Sequence, residues 1–298
     1  MLKKSLGIIS AFVLMLGLSA CGGNEDANNE NASFGEKVEY TITGIDPGAG
    51  LMGLTKDVMS AYNLDKWELK ESSAAAMTAA LDKAIEDKEP IVVTGWIPHW
   101  KFIEYDLKML EDPKGAYGGK EKIKTLVRKG LKEDMPGAYK FFDQFHWKPD
   151  DLQKVMLKIE NGQSEQEAAK KWVKNNQDLV SSWIKGVESG NGEEIRVTYV
   201  AWADVIASSN VVKYVLENKL NYKVELIQVE AGPMFAAIAD GSADAMVGAW
   251  LPSTHVDYYE KYKEELVDLG VNLTGTRNGL VVPAYMDIDS IKDLKAAE

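Results

Sequence analysis

The sequence has little cysteine, little histidine and none of the common catalytic motifs. Of its 298 residues, one is cysteine and three are histidine. A single cysteine excludes an intramolecular disulfide, so stability has to come from an apolar core, which a chain of this length can build. The sequence also lacks an HExxH motif, a P-loop, a GxSxG motif and a metal-ligand cluster. We therefore expect a protein without catalysis, cofactor or metal.

The sequence also has fewer basic than acidic residues. Lysine and arginine number 34 against 46 acidic residues, a formal net charge of −12. This balance argues against nucleic acid as a partner and against an electrostatic hold on anionic lipid. It is compatible with a cationic or zwitterionic ligand, and equally with a charge that only keeps the protein soluble.

Long apolar runs are missing except near the amino terminus. Lys3 and Lys4 precede an apolar run over residues 6–18 that is too short for an ordinary membrane span. A charged start, a short apolar run and small residues after it are typical of a secretory signal. We therefore predict a signal peptide over residues 1–20.

The cysteine stands at the end of this signal, in Leu18-Ser-Ala-Cys21, a segment that resembles a bacterial lipobox. We predict that Cys21 carries a lipid, that residues 21–35 form a flexible polar tether, and that the protein is anchored on the extracytoplasmic face of the cell membrane. Cleavage before Cys21 leaves 32 basic against 46 acidic residues, a formal charge of −14. The alternative is a plain signal peptide that contains a cysteine.

A weak internal repeat organises the rest of the chain. An alternating strand pattern at 40–46 leads into a helical pattern at 51–62, and a strand pattern at 195–201 leads into a helical pattern at 208–217. In each half, a helix rich in small residues follows, and then a strand that ends at a tryptophan. This order predicts an α/β fold with a mostly parallel sheet in two lobes.

The segment between the two copies, roughly residues 120–185, is predicted to be rich in helix. Its apolar residues recur at helical spacing. They are Leu126, Val127, Phe141, Phe142, Phe145, Leu152, Val155, Met156, Ile159, Trp172, Val173, Leu179 and Trp183.

Three tryptophans stand where predicted strands run out into loops: Trp96, Trp202 and Trp250. Ligands of open α/β sheets bind beyond the carboxyl ends of the strands, so we expect these side chains to meet at one cleft. Gathered aromatic faces attract a cation that donates no ordinary hydrogen bond, and a quaternary ammonium group is the main biological example. Three such contacts supply roughly 6 kcal/mol, less than the ~8.2 kcal/mol of micromolar binding.

A second recognition element is therefore expected. The glycine-rich turn 47–50 leads directly into a predicted helix, so its backbone N–H groups can bind an anion. We predict that a ligand carboxylate binds the amides of Gly50 and Leu51, and that His255, five residues after Trp250, donates to it. The alternatives are an ordinary strand–helix turn and a structural histidine.

The remaining tryptophans and one further histidine are assigned to packing. We interpret His99 and Trp100 as packing or hinge residues, because a cage needs one residue from each loop. The other four tryptophans are predicted core residues: Trp67, Trp147, Trp172 and Trp183.

Taken together, these segments resemble the glycine betaine-binding lipoproteins of OpuA-type ABC importers. The resemblance runs from about residue 36 to the end of the chain. It rests on the lipobox at Cys21 and on the segments Gly44-Ile-Asp-Pro-Gly-Ala-Gly50, Thr94-Gly-Trp96-Ile-Pro-His-Trp100, Val200-Ala-Trp202, Val229-Glu-Ala-Gly-Pro-Met234 and Ala249-Trp250-Leu-Pro-Ser-Thr-His255.

The resemblance implies a type II periplasmic-binding-protein-like fold whose two lobes close on the ligand. Residues 36–128 and 252–298 would form lobe I, and residues 129–251 lobe II. It also implies a three-tryptophan prism around a trimethylammonium group and a carboxylate held by the backbone and His255, as inferred above. The expected partners are a betaine ligand and an ABC permease with its ATPase subunits. We expect a monomer.

The main hypothesis is capture of glycine betaine, and with it proline betaine, as compatible solutes for osmoprotection. An enzyme is the rival class, with Ser208, Ser209 and Asp204 as a conceivable nucleophile and acid, but no base follows them. The alternative hypothesis nearest to the main one is a protein of the same fold that binds another ligand, such as choline, carnitine or ectoine. The sequence does not rank the betaines, because a methyl group or a ring changes the fit by only about 1–3 kcal/mol.

Overall fold

The computed structural model describes residues 32–295. The predicted signal peptide, Cys21 and most of the predicted tether lie outside these residues, so the lipid attachment at Cys21 stays a prediction. Within the described range, no helix is both long enough and apolar enough to cross a membrane.

Within residues 32–295, nine strands form a single sheet in the order β2-β1-β3-β9-β5-β8-β6-β7, with β4 paired to β9. The strands are β1 (Thr41–Thr43), β2 (Glu68–Lys70), β3 (Val93–Ile97), β4 (Leu107–Met109), β5 (Glu121–Arg128), β6 (Glu194–Tyr199), β7 (Lys223–Gln228), β8 (Ala245–Leu251) and β9 (Leu266–Pro283).

Helices cover the sheet between these strands, and several begin at a side-chain cap. The Ser73 hydroxyl, for example, accepts the N–H of Ala76 at the start of α3. The helices are α1 (Phe34–Lys37), α2 (Gly50–Ala61), α3 (Ala74–Asp87), α4 (Lys101–Glu104), α5 (Leu131–Asp134), α6 (Pro136–Gln144), α7 (Pro149–Glu160), α8 (Glu165–Asn175), α9 (Gln177–Trp183), α10 (Ala203–Leu220), α11 (Ala231–Ala239) and α12 (Val256–Tyr262), followed by a 3-10 helix at Ile291–Leu294.

The strands fall into two groups that follow the predicted repeat. In the first strand group, β1 is parallel to β2 and β3, and β3 and β4 pair with residues 277–283 of β9. In the second strand group, β6 is parallel to β7 and β8, and β5 pairs with β8 and with residues 266–276 of β9. The α/β class is confirmed, and β9 is the strand that joins the groups.

The sheet is mixed rather than mostly parallel, because β5 and β9 are antiparallel to their partners. Strand β9 was not predicted, because its apolar alternation is interrupted by polar residues and by Gly270, Gly275 and Gly279. Residues 121–128 were also misassigned to the helical segment. Ile123, Leu126 and Val127 are buried between two neighbouring strands in β5, whereas helices α5–α9 do fill residues 131–183.

The predicted lobe boundary between residues 128 and 129 separates β5 from its hydrogen-bonded partner β8. The division into two lobes stays a prediction, and below we refer only to the two strand groups. The four tryptophans assigned to the core are all buried, and Trp172 stacks on Trp183 with ring centres 5.6 Å apart.

Candidate functional site

Three tryptophans from different elements line one cavity, and we call them the tryptophan cage. Trp96 lies in β3, Trp250 lies in β8, and Trp202 caps the amino end of α10. Each ring is almost fully buried, with 3–6% of its surface exposed. The cavity is also lined by Ile45, Ala49, Leu51, Asp204, Thr254 and Asn278.

A buried carboxylate holds two of the cage rings. The indole N–H of Trp96 donates to Oδ1 of Asp204 and that of Trp250 donates to Oδ2, both at 3.1 Å. Burial raises the pKa of Asp204 to about 6, and the hydrogen bonds from the two indoles act in the opposite direction. Asp204 therefore orients two rings and brings negative charge to the cavity wall.

The third ring is held in the same way. The indole N–H of Trp202 donates to Oδ2 of Asp46 at 3.1 Å. All three cage N–H groups thus have acceptors within the protein. A ligand in the cavity does not need to accept a hydrogen bond from the cage, which suits an alkylated ammonium group.

The proposed anion donors lie at the amino end of α2. Its capping residue Ala49 provides no side-chain hydrogen bond. Within residues 32–295, no acceptor takes a hydrogen bond from the N–H of Gly50 or Leu51. Free N–H groups at the positive end of a helix dipole attract a carboxylate. Leu51 lines the cavity, so these donors stand beside the cage.

Gly50 permits a close approach between this helix and the loop after β8. A Cβ atom added at Gly50 would lie 1.7 Å from the carbonyl oxygen of Thr254, well inside van der Waals contact. At Gly48, in the same turn, an added Cβ would meet no atom within 4 Å. The absence of a side chain therefore matters at Gly50 and not at Gly48.

His255 is fully buried against the ring of Trp202, with ring centres 5.7 Å apart and planes 23° from parallel. Its Nδ1 accepts the backbone N–H of Trp250 at 3.0 Å, so in the neutral ring Nε2 carries the proton. Nε2 is buried and has no partner within the described residues. Burial lowers the pKa of His255 to about 3, so the ring is a neutral donor at physiological pH.

A polar cluster fixes the loop that carries Thr254 and His255. The buried carboxylate of Glu121 accepts the backbone N–H groups of Ser253 and Thr254, both at 2.7 Å. It also accepts from the Thr254 hydroxyl and, at 2.7 Å, from the Asn278 amide. Glu121 was not predicted as a site residue, because nothing in its local sequence indicates that its carboxylate is buried.

The residues after Trp96 pack behind the cage. His99 meets the Trp96 ring edge-on at 4.7 Å, and its Nδ1 accepts the N–H of Lys101 at 3.2 Å. Lys101 is fully buried, with Nζ 5.2 Å from the centre of the Trp96 ring and 3.3 Å from the carbonyl oxygen of Thr94. Burial lowers the pKa of Lys101 to about 7. The prediction of a packing role for His99 agrees with these contacts, whereas Lys101 was missed.

The two carboxylates that hold the cage were also missed, although the repeat contained a signal for them. Asp46 follows β1 by three residues and Asp204 follows β6 by five, so each lies just beyond the first strand of its repeat copy. From the sequence, Asp204 was considered only as the conceivable acid of an enzyme. No group of acidic, histidine or cysteine side chains suited to a metal ion occurs within residues 32–295.

Comparison with known proteins identifies relatives along the whole chain. Residues 24–175 and 193–298 match the OpuAC family, described as the substrate-binding domain of the ABC-type glycine betaine transport system. A curated relative, the glycine betaine/carnitine transport binding protein GbuC of Listeria monocytogenes, is 50% identical over 301 residues, covering 100% of each chain.

Solved structures give partial matches. Lactococcal OpuAC in its closed conformation with glycine betaine is 49% identical, with a TM-score of 0.49 over 53% of this chain and 61% of that one. A glycine betaine/L-proline-binding protein (ProX) from Borrelia burgdorferi is 35% identical, with a TM-score of 0.45 over 50% of this chain and 57% of that one. The family match covers most of the sequence, and the chain therefore belongs to the OpuAC family of substrate-binding domains of ABC-type glycine betaine transport systems.

Proposed function

We propose that this chain is the substrate-binding component of an ABC importer and captures glycine betaine, and with it proline betaine, outside the cytoplasmic membrane. The observation that carries the proposal is the cage of three buried tryptophans around one cavity, with all three indole N–H groups already bonded to carboxylates. Such a cavity favours a permanent cation without N–H donors.

The anion half of the ligand is assigned to Gly50, Leu51 and His255. At the start of α2, beside the cavity, two backbone N–H groups have no acceptor among the described residues, and the buried Nε2 of His255, whose ring packs against Trp202, has no partner there. Buried donors without partners are costly, and a ligand carboxylate would remove that cost. Glycine betaine and proline betaine each carry the required cation and carboxylate.

The remaining proposals concern the membrane anchor, the two lobes and the partner proteins. We propose that Cys21 carries the lipid anchor, that the two strand groups form lobes that close on the ligand, and that the monomer delivers the ligand to a permease with ATPase subunits, without catalysis. Carnitine is the second candidate ligand, because the relative that is 50% identical is a glycine betaine/carnitine binding protein.

A fluorescence titration tests the proposal. The soluble chain that begins after Cys21 would be titrated with glycine betaine, proline betaine, carnitine, choline and a plain amino acid, while intrinsic tryptophan emission is recorded. A saturable change with the betaines and little change with choline or the amino acid supports both halves of the site. No response to any quaternary ammonium compound would refute the proposed ligand.

A further inference from the structure

Two hydrogen bonds that cage tryptophans donate connect one strand group with the other. Trp96 belongs to the first strand group and donates to Asp204, which follows β6 of the second group, at 3.1 Å. Trp202 lies in the second group and donates to Asp46, which follows β1 of the first, also at 3.1 Å. Each strand group thus contributes one indole donor and one carboxylate acceptor.

The two bonds differ from the other polar contacts between the groups. Gln153 donates to the carbonyl oxygen of His99 at 3.2 Å, and the Tyr258 hydroxyl donates to that of Gly48 at 2.8 Å. The Asn278 amide of β9 donates to Glu121 at 2.7 Å and to the Thr254 hydroxyl at 2.6 Å. None of these contacts involves a cage ring. When these two bonds break, Trp96 and Trp202 lose the acceptors that orient their rings, whereas Trp250 keeps its bond to Asp204 within the second group. The geometry of the complete cage therefore depends on the approach of the two groups.

We propose that Asp46 and Asp204 are positioning residues that latch the two strand groups together through the indoles of Trp202 and Trp96, so that the cage is complete only in the closed arrangement. The inference rests on the proposed function, since it assumes that the groups separate to admit a ligand. A ligand that needs the complete cage binds the latched state better, and it shifts the population toward that state.

Asp46 offers the cleaner test of the two. Asp204 lines the cavity, so its substitution would also change the charge that faces a ligand, whereas Asp46 does not line it. Asp46→Ala removes the acceptor of the Trp202 N–H. Asp46→Asn keeps a carbonyl oxygen that can accept this single bond, and it serves as the matched control.

Distances between two spin labels would report closure directly. The only cysteine of the chain is Cys21, so a soluble form that begins after it carries no competing thiol. Labels would be placed at Glu86→Cys on α3 and Lys154→Cys on α7, two exposed positions on helices that line opposite sides of a neighbouring cleft. Glycine betaine affinity and melting temperature would be measured on the same proteins.

The latch predicts that Asp46→Ala binds glycine betaine about tenfold more weakly and closes less completely, while Asp46→Asn stays within about threefold of the wild type. Wild-type closure and affinity in a folded Asp46→Ala variant would overturn the latch, and so would an equal loss in both variants. If the wild type itself does not bind glycine betaine, the proposed function fails. The latch is then judged on the ligand-free distance distributions, and identical distributions for wild type and Asp46→Ala refute it.

Discussion

At the scale of single residues, the cage combines aromatic faces with carboxylates that accept every cage N–H. Asp204 accepts from Trp96 and Trp250, and Asp46 accepts from Trp202. The carboxylates fix the rings, and the rings partly offset the cost of burying Asp204. Because all three indole N–H groups donate to these carboxylates, the cage rings have no free hydrogen-bond donor for a ligand.

Loss of a cage ring should weaken ligand binding without unfolding the protein. We expect Trp96→Ala, Trp202→Ala or Trp250→Ala to reduce glycine betaine affinity by about tenfold or more, because each ring supplies up to about 2 kcal/mol. Calorimetric titration would measure the affinity. Trp100→Phe, outside the cage, is the control and should bind normally. Normal binding by all three alanine variants would remove the cage from the site.

His255 should matter more for a ligand with a carboxylate than for one without. Its Nε2–H has no partner within the described residues, and its ring packs against Trp202. We expect His255→Ala to weaken glycine betaine by about tenfold and choline by much less, because choline lacks the anion. Competition titrations with both ligands would measure the difference. Equal losses for the two ligands would assign His255 to packing alone.

Acid should weaken binding through Asp204. Burial raises the pKa of this carboxyl to about 6, and a bound cation favours its ionised form. Affinity for glycine betaine should therefore fall as the pH drops through 6, by about tenfold at pH 5. Protonation of Lys101, beside Trp96 with a pKa of about 7, acts in the same direction, while His99, whose pKa burial holds well below its ordinary value, stays neutral.

The variant Asp204→Asn separates the contribution of Asp204 to the pH dependence of affinity from that of Lys101. It should abolish the change in affinity near pH 6, because asparagine does not titrate. The effect of this carboxyl on ligand-free stability has the opposite sign. In the folded, ligand-free protein the pKa of Asp204 is raised from its ordinary 3.8 to about 6. The contribution of this carboxyl to the free energy of unfolding is therefore fully present below pH 3.8 and is lost as the pH rises through about 6. Affinity that is constant between pH 5 and 8 would contradict this account of Asp204.

At the scale of elements, the site is assembled where α2 meets the loop between β8 and α12. The start of α2 presents free N–H groups, and the loop carries Thr254 and His255. Glu121 on β5 holds this loop through two backbone N–H groups. Two elements far apart in sequence thus carry the residues that we propose bind the ligand carboxylate.

The close approach of α2 and this loop requires glycine at position 50. In Gly50→Ala the new methyl group would overlap the carbonyl oxygen of Thr254 and force the loop to move, at a cost of about 1–3 kcal/mol. We expect a lower melting temperature and an affinity for glycine betaine that is reduced about tenfold or more. Gly48→Ala, where the added methyl group meets no atom within 4 Å, should behave as wild type. Similar behaviour of the two variants would refute this account of Gly50.

Local patterns predicted the repeat and its tryptophans but not the connections between the two copies. Strands β1, β3, β6 and β8 stand out because their residues alternate or are continuously apolar between glycine and proline. Strand β9 was missed, because its 18 residues contain three glycines and many polar side chains whose burial depends on partners far away in sequence. The carboxylate of Glu121 was missed for the same reason, since its acceptor role arises only in the folded chain. Asp46 and Asp204 were missed although each stands just beyond the first strand of its repeat copy.

At the scale of the whole molecule, two strand groups share β9 and meet at the cage. The first group contributes Trp96, Gly50 and Leu51, and the second contributes Trp202, Trp250 and His255. A ligand in the cavity would touch residues of both groups. This arrangement connects the predicted betaine specificity with the closure that we propose for the two groups.

The most direct test of the central claim compares glycine betaine with its carbon isostere, the anion 3,3-dimethylbutanoate, in which an uncharged carbon replaces the quaternary nitrogen. The two compounds share shape and carboxylate and differ only in the cation. Calorimetric titration of the soluble chain should give binding of glycine betaine that is stronger by about a hundredfold or more, because the aromatic cage and Asp204 act on the charge. Equal affinities would show that the cavity selects shape alone, and would contradict the account.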